Sequence, residues 1–203
     1  MDDPTAGGAA KLVVVIRVRL AEPRDAAEVQ AIYAPIVGST AISFEIEPPT
    51  ADEMARRIAR TMPVHPWLVA DDQGQLAGYA YAGPFRSRPA YQWSVEVSAY
   101  IQRDWQRRGV GRSLYTALLA VLALQGYREA CAGITLPNPA SVGLHQALGF
   151  APVGVYRRVG WKLGAWQDVG WWQRSLTESR QQPGEPQTLD RLDRDQLRAA
   201  LNS

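Results

Sequence analysis

Apolar positions along this chain switch between a period of two and a period near 3.6, and each switch marks an element. KLVVVIRVRL (11–20) is rich in β-branched residues and predicts a strand. In EPRDAAEVQAIYAPIV (22–37), Ala26, Val29, Ile32, Tyr33 and Ile36 recur at helical spacing. TAISFEIEPP (40–49) predicts a short extended piece. TADEMARRIARTM (50–62) opens with Thr50 and has Glu53 three residues on, the pattern of a capping box, so a second helix is expected. WLVADDQGQLAGYAYAGPF (67–85) holds two strand-like runs around Asp-Gln-Gly, a hairpin signal. YQWSVEVSAYI (91–101) alternates: Ser94, Glu96, Ser98 and Tyr100 take one face, Val95, Val97, Ala99 and Ile101 the other.

Downstream, Val110, Leu114, Ala117, Leu118, Val121 and Leu122 form one stripe of a helix over 110–125. EACAGITL (129–136) predicts a buried strand. NPASVGLHQALGF (138–150) predicts a short helix with Asn138 as cap, Pro139 in its first turn and Gly149 at its end. APVGVYRRVGW (151–161) and WQDVGWWQRSL (166–176) are two late strands. The order is strand, helices, three strands, helix, strand, helix, two strands. It predicts an α/β domain with a mixed central sheet flanked by helices. Residues 177–203 change composition sharply. They form a polar tail with a linker-like start, and LDRDQLRAAL (192–201) is a candidate for a turn or two of amphipathic helix.

Composition narrows the class. The chain has 203 residues, 46% hydrophobic and 21% charged, with a net charge of +2. That suits one globular domain and gives no general argument for nucleic-acid binding. The single cysteine, Cys131, sits in an apolar run, so a packed thiol in a reducing cytoplasm is expected rather than a disulfide. No apolar run approaches the ~20 residues of a membrane-spanning helix. MDDPTAGGAA is acidic and small-residued, unlike a signal peptide, and residues 1–11 read as a flexible arm. Two histidines and one cysteine share no metal-ligand spacing, so no metal is expected.

QRRGVG (106–111) stands just before the 110–125 helix. Strand, glycine-containing loop, then helix is the layout of an anion cradle. Glycines let successive N–H groups converge on one guest, and the helix N-terminus adds about half a positive charge. Arg103, Arg107, Arg108 and Arg112 thicken that field. A purely structural turn explains the fragment equally well. No Gly-Lys-Ser/Thr follows, which removes a P-loop. The third glycine of the dinucleotide fingerprint is missing, and the loop comes too late in the chain for a first βα turn.

QRRGVG fits the Q/R-x-x-G-x-G/A signature of the GNAT N-acetyltransferase superfamily. FRSRPAY, VEVSAYI, NPASVGLHQALGF and VGWKLGAWQDVGWWQ together resemble the phosphinothricin/methionine-sulfone acetyltransferase family over residues 13–176. The resemblance implies the GNAT fold, with a domain over 12–176. It implies acetyl-CoA as cosubstrate, bound by Gln106, Arg107, Arg108, Gly109, Val110, Gly111 and Arg112. It also implies contacts from Val97, Ala99 and Ile101 of a splayed strand, and from Asn138 and Ser141. A main-chain donor to the thioester is expected near residues 97–101.

Glu96, a carboxylate on an otherwise apolar strand, is the implied base. An ordinary Glu pKa of about 4.3 is low for an amine, so burial or a water relay is needed; a structural ion pair is the competing explanation. His145 shares a helical face with Asn138 and Ser141 and stands where many of these enzymes carry a tyrosine acid; a purely hydrogen-bonding histidine is the alternative. Arg86 and Arg88 are the implied grip on the acceptor's acidic groups; without the resemblance they would read as an exposed basic loop. Phe44, Glu45, Tyr91, Lys162 and Trp166 complete the implied acceptor pocket. The aromatic late strands imply a homodimer seam.

Rival classes are an acetyltransferase for protein N-termini or other amines, a non-catalytic acyl-CoA-binding module, and an RNA-binding protein using arginines and aromatics. The Arg86/Arg88 pair disfavours cationic acceptors. The presence of Glu96 and His145 disfavours the binding module, and the near-neutral charge disfavours RNA.

Overall fold

A computed structural model describes residues 16–179 and 181–203. Its elements are β1 (Arg17–Leu20), α1 (Ala26–Ser39), α2 (Ala51–Thr61), β2 (Trp67–Asp72), β3 (Gln75–Pro84), β4 (Ser94–Ile101), α3 (Val110–Gln125), β5 (Glu129–Leu136), α4 (Pro139–Ala147), β6 (Ala151–Lys162), β7 (Ala165–Ser175) and α5 (Arg194–Leu201). The arm expected over 1–11, and the part of the first expected strand before Ile16, lie outside the described residues.

Local chemistry explains most boundaries. Gln73 and Gly74 both take positive φ, 52° and 95°, which closes the β2–β3 hairpin in a tight turn. The Thr50 hydroxyl accepts the Glu53 amide at 3.2 Å and starts α2. The Glu53 carboxylate completes no capping box; it pairs with Arg56 and Arg57 instead. Gly126 ends α3 at φ 92°. Asn138 caps α4 by accepting the Ser141 amide at 3.1 Å.

Two expectations need correction, and the fold places the tail, whose packing the sequence leaves open. Residues 40–50 form bends and no strand. Pro48 and Pro49 cannot donate to a ladder, and Ser43 and Glu45 take side-chain partners in the tertiary structure. The strand expected over 91–101 begins at Ser94, because Pro89 opens a 3-10 turn over Pro89–Tyr91. The tail is not simply solvated. Leu189 and Ala200 bury against Val121 of α3, and Gln125 donates to the Gln187 carbonyl at 2.8 Å.

The seven strands form one sheet in the order β1-β2-β3-β4-β5-β7-β6. On one face, Leu114, Leu118 and Leu122 of α3 pack on Leu68, Ala80, Val95 and Ala130. On the other, Val29, Tyr33 and Val37 of α1 with Met54 and Ile58 of α2 cover Val69 and Tyr79. All neighbouring strands run antiparallel except β4 and β5, which pair in parallel over only Ser94↔Glu129, Val95↔Ala130 and Glu96↔Cys131. Beyond that point the two strands part.

Arg19 fixes the entry of α1. Its guanidinium grips both Asp25 oxygens at 2.7 and 2.8 Å and reaches Asp71 at 3.0 Å. Asp25 is buried, and the Arg19 hydrogen bonds, with the Glu22 amide, outweigh burial and hold its carboxyl below the usual range. Removing one partner of a buried pair strands the other charge. Arg19→Met is therefore expected to lose about 3–5 kcal/mol in urea melts at pH 7. Because the folded Asp25 pKa is depressed, the pair stabilises fully above the unfolded value of about 3.9 and is lost as pH falls through the folded one. The gap between parent and variant should narrow in acid.

Candidate active site

Where β4 and β5 diverge, a cavity of about 810 Å³ opens between them and the ends of α3 and α4. Val97, Ala99 and Ile101 line one wall, residues 132–135 the other. After Glu96, the β5-facing backbone groups of β4 have no strand partner. Such groups are costly to bury unpaired, so the cleft suits an extended polar ligand.

The floor is the start of α3. Gln106, Arg107, Gly109, Val110, Gly111 and Arg112 all line the cavity. The first helical bond runs from the Ser113 amide to the Gly109 carbonyl at 3.0 Å, leaving the preceding amides free of helical acceptors. The two glycines serve different ends. Gly109 takes φ 87°, the left-handed region, to start the helix. Gly111 is helical, but a Cβ there would sit 3.1 Å from Leu144 Cδ2, so glycine lets α4 approach α3. Free amides, the helix dipole, Arg107 and Arg112 make this end a site for phosphate groups. Arg108 turns away, its guanidinium 5.4 Å from the Trp105 ring centroid.

Asn138, Ser141 and His145 of α4 reach the same cavity. His145 is 4% exposed. Its Nδ1 lies 2.8 Å from the Ser141 carbonyl oxygen, which only accepts, so the proton sits on Nδ1. Nε2 is then the acceptor for the Tyr115 hydroxyl at 3.0 Å. Burial lowers the imidazole pKa, and the Ser141 contact opposes it only in part. Neutral His145 thus has no proton to give at Nε2. Tyr115 lines the cavity with its hydroxyl proton directed to Nε2, and burial holds the phenol well above its usual value.

Glu96 is the last β4 residue paired with β5 and borders the point of divergence. Burial pushes its carboxyl up, with Arg86 opposing. Arg86 donates to the Phe85 carbonyl at 2.8 Å and lies over the Phe85 and Trp171 rings, 4.2 and 5.5 Å from their centroids. Burial, with Glu129 and Glu96, pushes the neighbouring Cys131 thiol up to about 11, so it stays protonated and packed. Arg88 and Tyr91 are exposed on the same loop.

The remaining expected acceptor residues are placed differently. Glu45 takes Arg57 at 2.7 and 3.0 Å and the Tyr33 hydroxyl at 2.9 Å, so its carboxylate is already paired. Phe44 packs on Gly160, where a Cβ would collide with the ring. Trp166 is exposed at the β6–β7 tip, 5.4 Å from Trp161. Lys162 points inward. Its Nζ donates to the Val37 and Ser43 carbonyls, each at 2.7 Å, joining the end of α1 and the 40–50 segment to the hairpin. The reason is local: Val37 is in the last turn of α1, whose carbonyls lack helical donors, and a cation suits that end.

Sequence reasoning missed Tyr115, Ser98, Tyr100, Ile36, Thr40 and Thr135, all of which line the cavity. Ser98 and Tyr100 stand in the VEVSAYI motif without an assigned role, and Tyr115 left a trace as a phenol beside a stripe of aliphatic helix positions.

Lys162→Met leaves two buried carbonyls without a donor, an expected loss of about 1–3 kcal/mol. Amide exchange across residues 40–49 should accelerate in hydrogen–deuterium exchange, while exchange in the first turn of α3 stays as in the parent.

The described geometry matches known proteins closely. A family model for the acetyltransferase (GNAT) domain matches residues 18–171. The phosphinothricin N-acetyltransferase of Streptomyces viridochromogenes is 42% identical over 161 residues, 79% of this chain and 88% of that protein. The L-methionine sulfoximine/L-methionine sulfone acetyltransferase of Pseudomonas aeruginosa is 36% identical over 168 residues, 82% of this chain and 98% of that protein. The structure of a phosphinothricin acetyltransferase from Sinorhizobium meliloti in complex with acetyl-CoA superposes with a TM-score of 0.81 at 34% identity, over 87% of this chain and 97% of that one. With a signature glycine turn at a splayed parallel pair and relatives at this level over most of its length, the chain belongs to the GNAT acetyltransferase superfamily.

Proposed function

We propose that the protein transfers the acetyl group of acetyl-CoA to the amino group of a small amino acid or an analogue of the phosphinothricin or methionine-sulfone type. The observation that carries this reading is the cleft between β4 and β5, closed at one end by the free amides of α3. Its volume, unpaired strand edge and cationic floor fit a long thioester with a diphosphate at one end. The names of the relatives supply the acceptor class. Arg86, held by two rings beside Glu96, is the group placed to meet an acceptor carboxylate or phosphinate.

The reaction needs an uncharged amine, an oxyanion donor and a proton for the leaving thiolate. Glu96, its pKa raised by burial, takes the ammonium proton directly or through water. The amine lone pair then attacks the thioester carbon, and a C–N bond forms as the carbonyl becomes an oxyanion. The donor near this point is an unpaired amide on β4. As the C–S bond breaks, the Tyr115 hydroxyl turns its one proton from His145 Nε2 to the departing sulfur, and the proton that the attacking nitrogen sheds restores the phenol by way of solvent. His145 is here a positioning residue rather than the direct acid that its place on α4 suggested. Consumption of acetyl-CoA and a lone, buried cysteine suit the cytoplasm.

We also propose a homodimer. β6 is one of the sheet's two edge strands, and Val153, Val155, Tyr156, Val159 and Trp161 along it are exposed. A long apolar edge invites pairing unless it is covered, and a second copy matches the seam that the resemblance implies.

A thiol-release assay with acetyl-CoA against amino acids and their sulfone, sulfoximine and phosphinate analogues tests the reaction; turnover confined to peptides or polyamines would overturn the acceptor class. Glu96→Gln should lower kcat by roughly 100-fold or more. Parental activity should fall as pH drops through the raised Glu96 pKa, since the base works deprotonated, and the variant should lack that acidic limb. Sedimentation should give twice the 22.4 kDa chain mass, and Trp161→Glu should shift it toward the monomer.

A further inference from the structure

Trp171 lies on β7, between β5 and β6, and both of its cross-strand partners are glycines. It stands opposite Gly133 of β5 and Gly154 of β6. A Cβ at 133 would sit 3.3 Å from Cζ2 and Cη2 of the indole, so the ring lies over that glycine and its outer edge reaches across β5. Gly133 lines the wall of the cleft. It follows Cys131, the register partner of Glu96, by two residues and so shares its face. The indole is therefore on the face of the sheet that carries Glu96, one row of side chains beyond the point where β4 and β5 part.

Phe85 and Tyr156 meet the indole edge-on, with centroids 6.0 and 6.4 Å away. The Arg86 guanidinium lies over both the Phe85 and Trp171 rings, 4.2 and 5.5 Å from their centroids. Arg86 stands on an exposed loop, where a long side chain keeps its rotamer freedom unless something holds it. Among the described residues no carboxylate forms an ion pair with it. The two rings and the Phe85 carbonyl are what restrain it, and the rest of its planar fork is left for an incoming anion.

The tryptophan carries a cost that a phenylalanine would avoid. Its Nε1–H is buried and has no acceptor among the described residues, and an unpaired buried donor is destabilising. What the indole adds is π area, and it attracts a cation better than the other aromatic rings do. We propose that Trp171 is a positioning residue: its ring, seated over Gly133, forms with Phe85 the platform that aims Arg86 at the carboxylate or phosphinate of the acceptor. The inference rests on the reading of Arg86 as the acceptor's anchor.

Trp171→Leu tests it, because leucine keeps an apolar side chain and removes the π face. With acetyl-CoA and the best acceptor of the amino-acid panel, the acceptor KM should rise about fivefold. The KM for acetyl-CoA and kcat should stay parental, the pattern of a lost binding interaction. Trp171→Phe, which keeps a ring in place, should recover most of the acceptor affinity. In an Arg86→Ala background Trp171→Leu should raise the acceptor KM no further, since the platform acts only through the guanidinium. Phe85→Leu should give the same pattern, and it decides the matter if Trp171→Leu does not fold. A parental acceptor KM in the deciding variant, or an equal loss with and without Arg86, overturns the platform. Arg86→Ala separates the two readings: a parental acceptor KM there removes the anchor and the platform together, whereas a raised one beside a parental Trp171→Leu removes only the platform.

Discussion

The parting of β4 from β5 is the constraint on which the rest of the structure depends. Parallel strands in a closed sheet satisfy one another's amides and carbonyls, and after Glu96 and Cys131 this pair does not. A sheet tolerates such a gap only if helices and loops hold its edges from both faces and if a ligand can meet the exposed groups. α3 packs behind β4 and starts its first turn at the mouth of the gap. α4 closes on it through the glycine at 111. One feature thus supplies both the binding slot and the place where the thioester meets its donor.

The segment over 40–50, beside the cleft, is held by polar contacts rather than by continuous secondary structure. Residues 40–50 have no ladder, yet Ser43 is buried, Glu45 is gripped by Arg57, and Lys162 ties the segment to α1 and to the β6–β7 hairpin. Phe44 fills the space that Gly160 leaves open. A loop fixed in this way keeps its backbone flexible in principle and its position defined in practice.

The sequence made the skeleton legible because the skeleton is periodic. The α3 stripe, the Asn138 cap and the β4 alternation all correspond to elements found. The glycine turn was legible in outline, but the division of labour between Gly109 and Gly111 depends on where Leu144 lies, and that is tertiary information. The same limit explains Lys162 and Glu45. A motif places a charged residue near a pocket, whereas only the fold decides whether its charge faces substrate or a helix end. Tyr115 was hidden for the opposite reason: an aromatic beside an apolar helix stripe reads as core, and it is core, except for a hydroxyl aimed at a histidine thirty residues on. The tail helix was legible as an amphipathic stretch over 192–201, whereas its packing on Val121, Ala120 and Leu124 of α3 is tertiary information.

The titrating groups of the site show how a single cause serves two roles. Burial disfavours charge, so it raises Glu96, whose charged form is deprotonated, and lowers His145, whose charged form is protonated. Both shifts move toward neutrality. A carboxylate lifted from its usual range is a stronger base, and Arg86 beside Glu96 opposes the shift. A histidine kept neutral leaves Nε2 free to hold the Tyr115 phenol instead of adding a cation beside the diverging strands. The charge that acetyl transfer creates at the oxyanion would then meet the free amides that the parting strands leave along β4.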